Sequence, residues 1–291
     1  MDEPEQTDVV VMGLGPGGEY VAGTLAEAGL HVTGVEAGLT GGECPYYGCV
    51  PTKMMIRANN LIAETRRDPV LSGTSTITPD WSKVALRIRE EATDYWNDKV
   101  AVDRFTGKGG HFVRGFGTIT GPGQVTVATG NGARIFRARR GVVIAVGTEP
   151  AIPPIDGLAA TPYWTNRDIV KAEQVPESLI VVGGGAVGAE LAQVFARFGA
   201  AVTVIEALPR LLPFEEPEAS ALIERIFTRE GVNRSVLIGA TSAGPTGGDV
   251  LSLLQLAVRA EVPVATLRNM PCAYPTFYRA IEDALRDLES S

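Results

Sequence analysis

The sequence predicts an α/β fold built on two copies of one strand–helix–strand unit, the second incomplete, trailed by a segment of different character. Three observations carry this. A β-branched run opening into a glycine triplet and a helical pattern occurs at Asp8-Val-Val-Val-Met12 with Gly13-Leu-Gly15-Pro-Gly-Gly18. It recurs at Leu179-Ile-Val-Val182 with Gly183-Gly-Gly185-Ala-Val-Gly188. Each copy returns to a strand ending in glutamate, His31-Val-Thr-Gly-Val-Glu36 and Ala201-Val-Thr-Val-Ile-Glu206.

Taken in order, the first strand leads to a helix near 17–29 and then to the strand ending at Glu36. Helical patterns follow near 50–66 and 80–104, then short strand-like pieces over 112–146, punctuated by Gly-Pro-Gly and Gly-Asn-Gly turns. The proline-rich piece Glu149-Pro-Ala-Ile-Pro-Pro-Ile-Asp156 reads as a linker. The second unit supplies a helix near 186–199, its closing strand, and a helix near 216–231. Beyond it come a strand-like Val236-Leu-Ile-Gly-Ala240 and helices near 246–259 and 275–288.

At 291 residues the chain has room for about two domains. Hydrophobic residues make up 45% and charged residues 21%, which excludes a disordered solvating chain. No stretch approaches the ~18 unbroken apolar residues of a membrane helix, so no membrane association is expected. With 34 acidic and 26 basic residues the net charge is -8, and no basic field exists to hold nucleic acid. Three cysteines with only His31 and His111 beside them make neither a disulfide framework nor a recognisable zinc site, so no metal is expected. The first residues are acidic where a leader would be basic and then apolar, so the cytoplasm is the expected compartment.

A glycine triplet between strand and helix lets the backbone turn tightly, approach a pyrophosphate closely, and aim helix N-terminal N–H groups at its charge. The glutamates Glu36 and Glu206 are placed to accept hydrogen bonds from an adenosine ribose. Two such loops suggest an electron relay between two dinucleotides. A carboxylate beside the ribose would also repel a 2′-phosphate, which favours NADH over NADPH at the second loop.

The remaining signal is Gly41-Gly-Glu-Cys44-Pro-Tyr-Tyr-Gly-Cys49-Val-Pro-Thr-Lys53, with two thiols five positions apart at the mouth of a helix. On a regular helix that spacing is ~7.5 Å of rise and ~140° of rotation, beyond disulfide reach, so the stretch must bend for the sulfurs to meet. Pro45 and Gly48 permit the bend. The positive end of a helix starting near Cys49 is expected to lower a thiolate pKa and make the pair redox-responsive.

Together these motifs resemble the class I pyridine nucleotide-disulfide oxidoreductases, flavoenzymes that include dihydrolipoamide dehydrogenase and mercuric reductase, over residues 7–232. The resemblance implies two Rossmann-like units and assigns FAD to the first loop, through Gly13, Gly15, Gly18 and Glu36. Gly42, Lys53 and Gly117 would join it, with Ala145 and Gly147 as a closing loop. NADH or NADPH would lie on Gly183, Gly185, Gly188 and Glu206. Cys44 is similar to the interchange thiol that meets substrate, Cys49 to the thiol at the flavin, and Lys53 with Glu190 to an ion pair beside it. Electrons would pass from the nicotinamide through FAD to the Cys44–Cys49 disulfide, then to a small-molecule acceptor: a disulfide, a quinone or a metal ion. The implied domains are an FAD-binding domain over 1–148, a linker and edge of that domain over 149–177, a partial nicotinamide domain over 178–232 and a C-terminal part of the dimerisation domain over 233–291.

Past Val232 the chain departs from the family. The rest of the nicotinamide domain, the segment that closes over FAD and the first strands of the dimerisation domain have no counterpart. Residues 233–291 resemble the end of that α+β dimerisation domain, which implies a homodimer if this region folds. An internal deletion joined near 231–234 describes this. A second reading lets 236–240 and the following helix extend the second βαβ unit. Tyr274 and Arg279 stand where thiol-active members carry a histidine and a glutamate, so no His–Glu dyad is expected, and Cys272 is expected to be a lone thiol. The alternative to an enzyme is a non-catalytic remnant that binds FAD or NAD weakly.

Overall fold

The computed structural model describes residues 3–67, 73–208 and 210–232. The chain divides into two compact units, one formed by Met1–Leu61 with Asp80–Gln174 and the other by Ile62–Pro79 with the chain from Val175 onward.

The first unit is organised by β1 (Glu5–Met12), whose last six residues are all buried. A strand covered on both faces reads as an unbroken apolar run, which is why Val9-Val-Val-Met12 shows no alternation. Helix α1 (Pro16–Glu27) buries the small residues Gly18, Ala22, Gly23 and Ala26 and so lies close to the sheet. It leads to β2 (Val32–Glu36), parallel to β1. Short α2 (Glu43–Tyr46) and long α3 (Cys49–Arg67) follow, then α4 (Trp81–Arg87) and α5 (Lys99–Gly107). Strands β3 (His111–Arg114), β4 (Phe116–Gly121), β5 (Gln124–Thr129) and β6 (Gly132–Ile144) complete a six-stranded sheet in the order β3-β2-β1-β6-β5-β4.

The 13-residue β6 does two jobs, running antiparallel to β5 with its first half and parallel to β1 from Phe136 to its end. One face of the sheet packs Val9, Val11, Leu14, Val32 and Phe105 against α1. The other packs Val10, Met12, Val35, Val125, Val127 and Phe136. Both cores meet at β1, so the loop leaving its C-terminal end stands on the most buried strand of the unit.

The single helix expected over 80–104 is broken. After α4 come a π-helical turn, Ile88–Ala92, and three successive residues in the left-handed region, Asp94 (φ 47°), Tyr95 (57°) and Trp96 (57°). The Thr93 hydroxyl donates to the carbonyls of Ile88 and Arg89, competing with the helical ladder. Asn97 accepts from Lys99 N and helps start the next helix. The region expected as a linker and edge of the first domain carries one helical turn, α6 (Asn166–Ile169), set by a capping box of Thr165 and Asp168.

The second unit contains β7 (Ser178–Val182), α7 (Ala186–Arg197), β8 (Ala201–Ile205) and α8 (Pro217–Arg229). Strands β7 and β8 pair in parallel, and among the described residues β7 has no other partner. Its Ile180 and Val182 are about half exposed. Buried Arg197 donates from Nε to Glu230 (3.0 Å), tying the end of α7 to the end of α8. Gly231 then turns left-handed (φ 75°), Val232 N donates back to Phe227 O (3.0 Å), and the Val232 side chain is buried. The readings made for 233–291, Cys272, Tyr274 and Arg279 among them, lie outside the described residues. No described helix is long and apolar enough to cross a membrane.

Candidate functional site

The first loop is fixed by backbone bonds to three neighbouring segments. Gly13 N donates to Val35 O (2.8 Å), Ala145 N to Met12 O (2.7 Å), and Gly41 N to Leu14 O (2.6 Å). Gly13 needs its positive φ of 88°, and a Cβ there would overlap the carbonyl of Ala145. A Cβ on Gly18 would overlap the carbonyl oxygen of Gly13, so strand and helix can meet this closely only with glycine. Gly15 differs. Its φ of -67° suits any residue, and a Cβ would meet nothing within 4 Å. It caps α1 without a side-chain hydrogen bond, so no cap side chain takes up the N–H groups that follow Pro16.

Glu36 closes the loop. Its carboxylate accepts from Leu14 N (2.7 Å) and Gly38 N (2.7 Å), one bond on each oxygen, which leaves lone pairs for hydroxyl donors. Gly42 (φ 66°) packs against the same loop, since a Cβ on it would lie 2.9 Å from Gly15 Cα. The loop therefore gathers Gly13, Gly15, Gly18, Glu36, Gly42 and Ala145. Gly117 sits further along, on β4, over the side chains of Met12, Val35 and Val125, and Gly147 (φ 69°) stands in the open.

The second loop repeats this geometry in its own unit. Gly183 (φ 104°) donates to Ile205 O (2.8 Å), Gly185 caps α7 with φ -71° and open space over its Cα, and a Cβ on Gly188 would overlap Gly183 O. Glu206 accepts from Gly184 N (2.6 Å) and Leu208 N (2.8 Å), as Glu36 does from Leu14 and Gly38. Two positions differ. A Cβ on Gly183 would meet nothing within 4 Å, unlike one on Gly13, and Leu14 is fully buried in the first core, whereas its counterpart Gly184 has Leu211 pressed over it.

The cysteine segment bends as its spacing requires. Helix α2 ends at Tyr46, the N–H groups of Tyr47 (2.8 Å) and Gly48 (2.7 Å) both return to Glu43 O, and α3 starts anew at Cys49. Cys44 is half-buried and Cys49 exposed, and they stand as separate thiols. A hydrogen bond with Cys49 and burial push the Cys44 thiol above the usual thiol range, while the Lys53 ammonium pulls it down more weakly. At Cys44 the neighbouring sulfur and desolvation outweigh the nearby positive charge. Lys53 is exposed on α3 of the first unit, and Glu190 is exposed on α7 of the second.

Several residues around this segment gave no motif signal. Trp96 Nε1 donates to Tyr46 O (3.1 Å) and Asn166 Nδ2 to Tyr47 O (3.2 Å). Arg167 Nε binds the Glu43 carboxylate (2.5 Å), beside Asn166 Nδ2 (3.1 Å). The capping-box spacing Thr165-x-x-Asp168 could have located α6, but nothing local announces which chain it contacts. Among the described residues, no group of three or more His, Cys, Asp or Glu side chains is placed to hold a metal ion.

Two uncapped helix starts with open glycines and paired carboxylates fit two dinucleotides, and the bent thiol pair fits two-electron exchange. Comparison with known proteins agrees. The sequence matches the family described as pyridine nucleotide-disulphide oxidoreductase over residues 7–265. It is 32% identical over 235 residues to a dihydrolipoyl dehydrogenase of Chlorobaculum tepidum, covering 78% of this chain and 48% of the relative. It is 34% identical over 238 residues to a mercuric reductase of Shigella flexneri, covering 75% and 39%. Among solved structures, the HOCl-induced flavoprotein disulfide reductase RclA of Escherichia coli, seen as a Cu(II) complex, superposes with a TM-score of 0.68 at 25% identity, covering 79% of this chain and 48% of that one. The chain thus spans about half the length of these relatives or less. With its loops, carboxylates and cysteine bend all inside the matched residues, the chain belongs to the pyridine nucleotide-disulphide oxidoreductase family.

Proposed function

We propose that the protein is an FAD-dependent oxidoreductase that takes electrons from a nicotinamide cofactor and passes them through the Cys44–Cys49 pair to a small disulfide, quinone or metal-ion acceptor. The observation that carries this reading is the open Gly15 turn at an uncapped helix start, with the Glu36 carboxylate beside it and the bent thiol pair packed against it through Gly41 and Gly42. FAD, bound there, supplies a two-electron carrier between nicotinamide and thiols. Gly13 and Gly18 shape the loop, the N–H groups beyond Gly15 face the pyrophosphate, and Glu36 accepts the ribose hydroxyls. Gly42, Gly117, Ala145 and Gly147 border the same ligand. Lys53 and Glu190 are assigned as the flanking ion pair. When the Cys44–Cys49 bond breaks it takes up two electrons and two protons, and it re-forms as the acceptor takes the electrons.

At the second loop Gly183, Gly185 and Gly188 would hold the nicotinamide dinucleotide, with Glu206 on its ribose. NADH is preferred, because Glu206 would repel a 2′-phosphate and Arg210, four positions on, is occupied. Arg210 donates to Glu215 O (2.7 Å) and Pro213 O (2.8 Å), so it is not free to meet that phosphate. The domain division at 1–148, 149–177, 178–232 and 233–291, a homodimer built through the last of these, and a cytoplasmic location belong to the same proposal.

A second reading, a remnant that binds FAD or NAD without turnover, is favoured by the half-length match and by the half-exposed Ile180 and Val182 on a strand with one described partner. An anaerobic NADH titration of the purified chain separates the two. A yellow protein whose flavin bleaches stoichiometrically and turns over with a disulfide or Hg(II) establishes the enzyme. A protein that retains flavin without bleaching establishes the remnant.

A further inference from the structure

The bend between the cysteines is held from outside by two side chains that the reading above leaves unused. Within the segment, Glu43 O accepts from Tyr47 N and Gly48 N, and Gly48 O accepts from Thr52 N. The two carbonyls at the apex, Tyr46 O and Tyr47 O, are met by Trp96 Nε1 and Asn166 Nδ2, which come from separate stretches of chain. Tyr46 itself is buried, and its hydroxyl reaches back toward Asn97 O (3.4 Å). Lys171 Nζ lies 5.3 Å from the Tyr47 ring and 5.5 Å from the Trp96 ring, linking the bend to one of its braces.

Trp96 is delivered by an uncommon backbone. Three consecutive non-glycine residues in the left-handed region are each disfavoured, and such a run persists only where its surroundings over-determine it. Here the turn is fixed by the Thr93 hydroxyl, which accepts from Trp96 N (3.3 Å), and it aims the indole at the bend.

We propose that Trp96 and Asn166 are positioning residues for the thiol pair: by fixing the Tyr46 and Tyr47 carbonyls they hold the reduced segment in the shape the disulfide needs. The inference rests on the redox role proposed above for Cys44 and Cys49. Closing a disulfide within one segment is favoured in proportion to how far the dithiol is already arranged for it. Loosening either brace therefore weakens the disulfide relative to the dithiol.

The test is equilibrium of the full chain with glutathione buffers, in which the pair's two electrons and two protons pass to glutathione disulfide, read by alkylation and mass spectrometry of the Cys44–Cys49 peptide. Trp96→Phe keeps the ring and removes the donor, Asn166→Ala removes the other, and Tyr95→Phe is a control in the same turn, since that hydroxyl binds Glu90 instead (2.8 Å). Each brace variant is expected to lower the equilibrium constant for disulfide formation about tenfold, a rise of about 30 mV in potential, with Tyr95→Phe within about twofold of the parent. Both brace variants within about twofold would overturn the inference while leaving the redox reading standing, and so would a Tyr95→Phe shift as large as theirs. A parent chain that forms no disulfide in any buffer would overturn both.

Discussion

The two glycine loops are nearly the same object set in different surroundings. The first leaves a strand buried on both faces, in a sheet of six strands, with Leu14 sunk into its core. The second leaves a strand of alternating exposure paired with one described neighbour, and Leu211 covers the loop where no side chain grows from Gly184. Yet the cap dihedrals, the glycine close to the preceding carbonyl and the carboxylate straddling two N–H groups agree throughout. What the two loops share is specified by their own dozen residues and the glutamate on the next strand, whereas the first loop's further bonds, through Ala145 and Gly41, and its sheet come from elsewhere in the chain.

That contrast breaks if the loops prove to depend on their sheets, and the sharpest probe is the close-approach glycine. Gly18→Ala and Gly188→Ala each place a Cβ on a backbone carbonyl, so each is expected to cost on the order of 3–5 kcal/mol by chemical denaturation. Costs that agree within about 1 kcal/mol mark a self-contained loop, because cooperative sites in contact would not match this way.

Gly15→Ala is next in size and opposite in kind. The backbone tolerates it and nothing is displaced, so stability is expected within about 0.5 kcal/mol of the parent, whereas FAD affinity falls about a hundredfold because the methyl group occupies the phosphate path. Gly185→Ala is expected to leave flavin content unchanged and to weaken nicotinamide binding. Flavin loss in the second variant instead of the first would reverse the cofactor assignment.

Glu206→Gln refines the comparison on charge alone. Removing the carboxylate charge is expected to raise NADPH affinity relative to NADH about tenfold, measured by binding competition. Glu36→Gln is expected to leave that ratio unchanged.

The smallest effect concerns pH. Because the Cys44 pKa is raised, less thiolate exists at neutral pH than for an ordinary cysteine, and the fraction grows only as pH climbs past the usual range near ~8.5. Carboxymethylation of Cys44 in the reduced protein is thus expected to be slow at pH 7 and still rising where a free thiol has levelled. The rate profile, resolved by peptide mass spectrometry, checks the sign.

Both loops, their glutamates and the need for a bend between Cys44 and Cys49 were legible in sequence because each is a local constraint: a glycine at a forbidden Cβ position, a carboxylate at a strand end, a helix pitch that cannot bring two sulfurs together. The break at 88–98 was not legible, because a π-helical turn and a left-handed run are decided by what Trp96 reaches, Tyr46 O, fifty positions earlier in the chain. Asn166 and Arg167 were missed for the same reason, since their partners Tyr47 and Glu43 are tertiary neighbours. The rise at Cys44 was not legible either, because it comes from burial and from a sulfur brought near by the bend.

The finish of α8 bears on where the second unit can be cut. Gly231 and Val232 terminate the helix with their own hydrogen bond and a buried side chain, and Arg197 with Glu230 fastens that end to α7. A fusion made just beyond this point severs no bond that ends α8, so a reporter joined after Val232 leaves that helix its own stop.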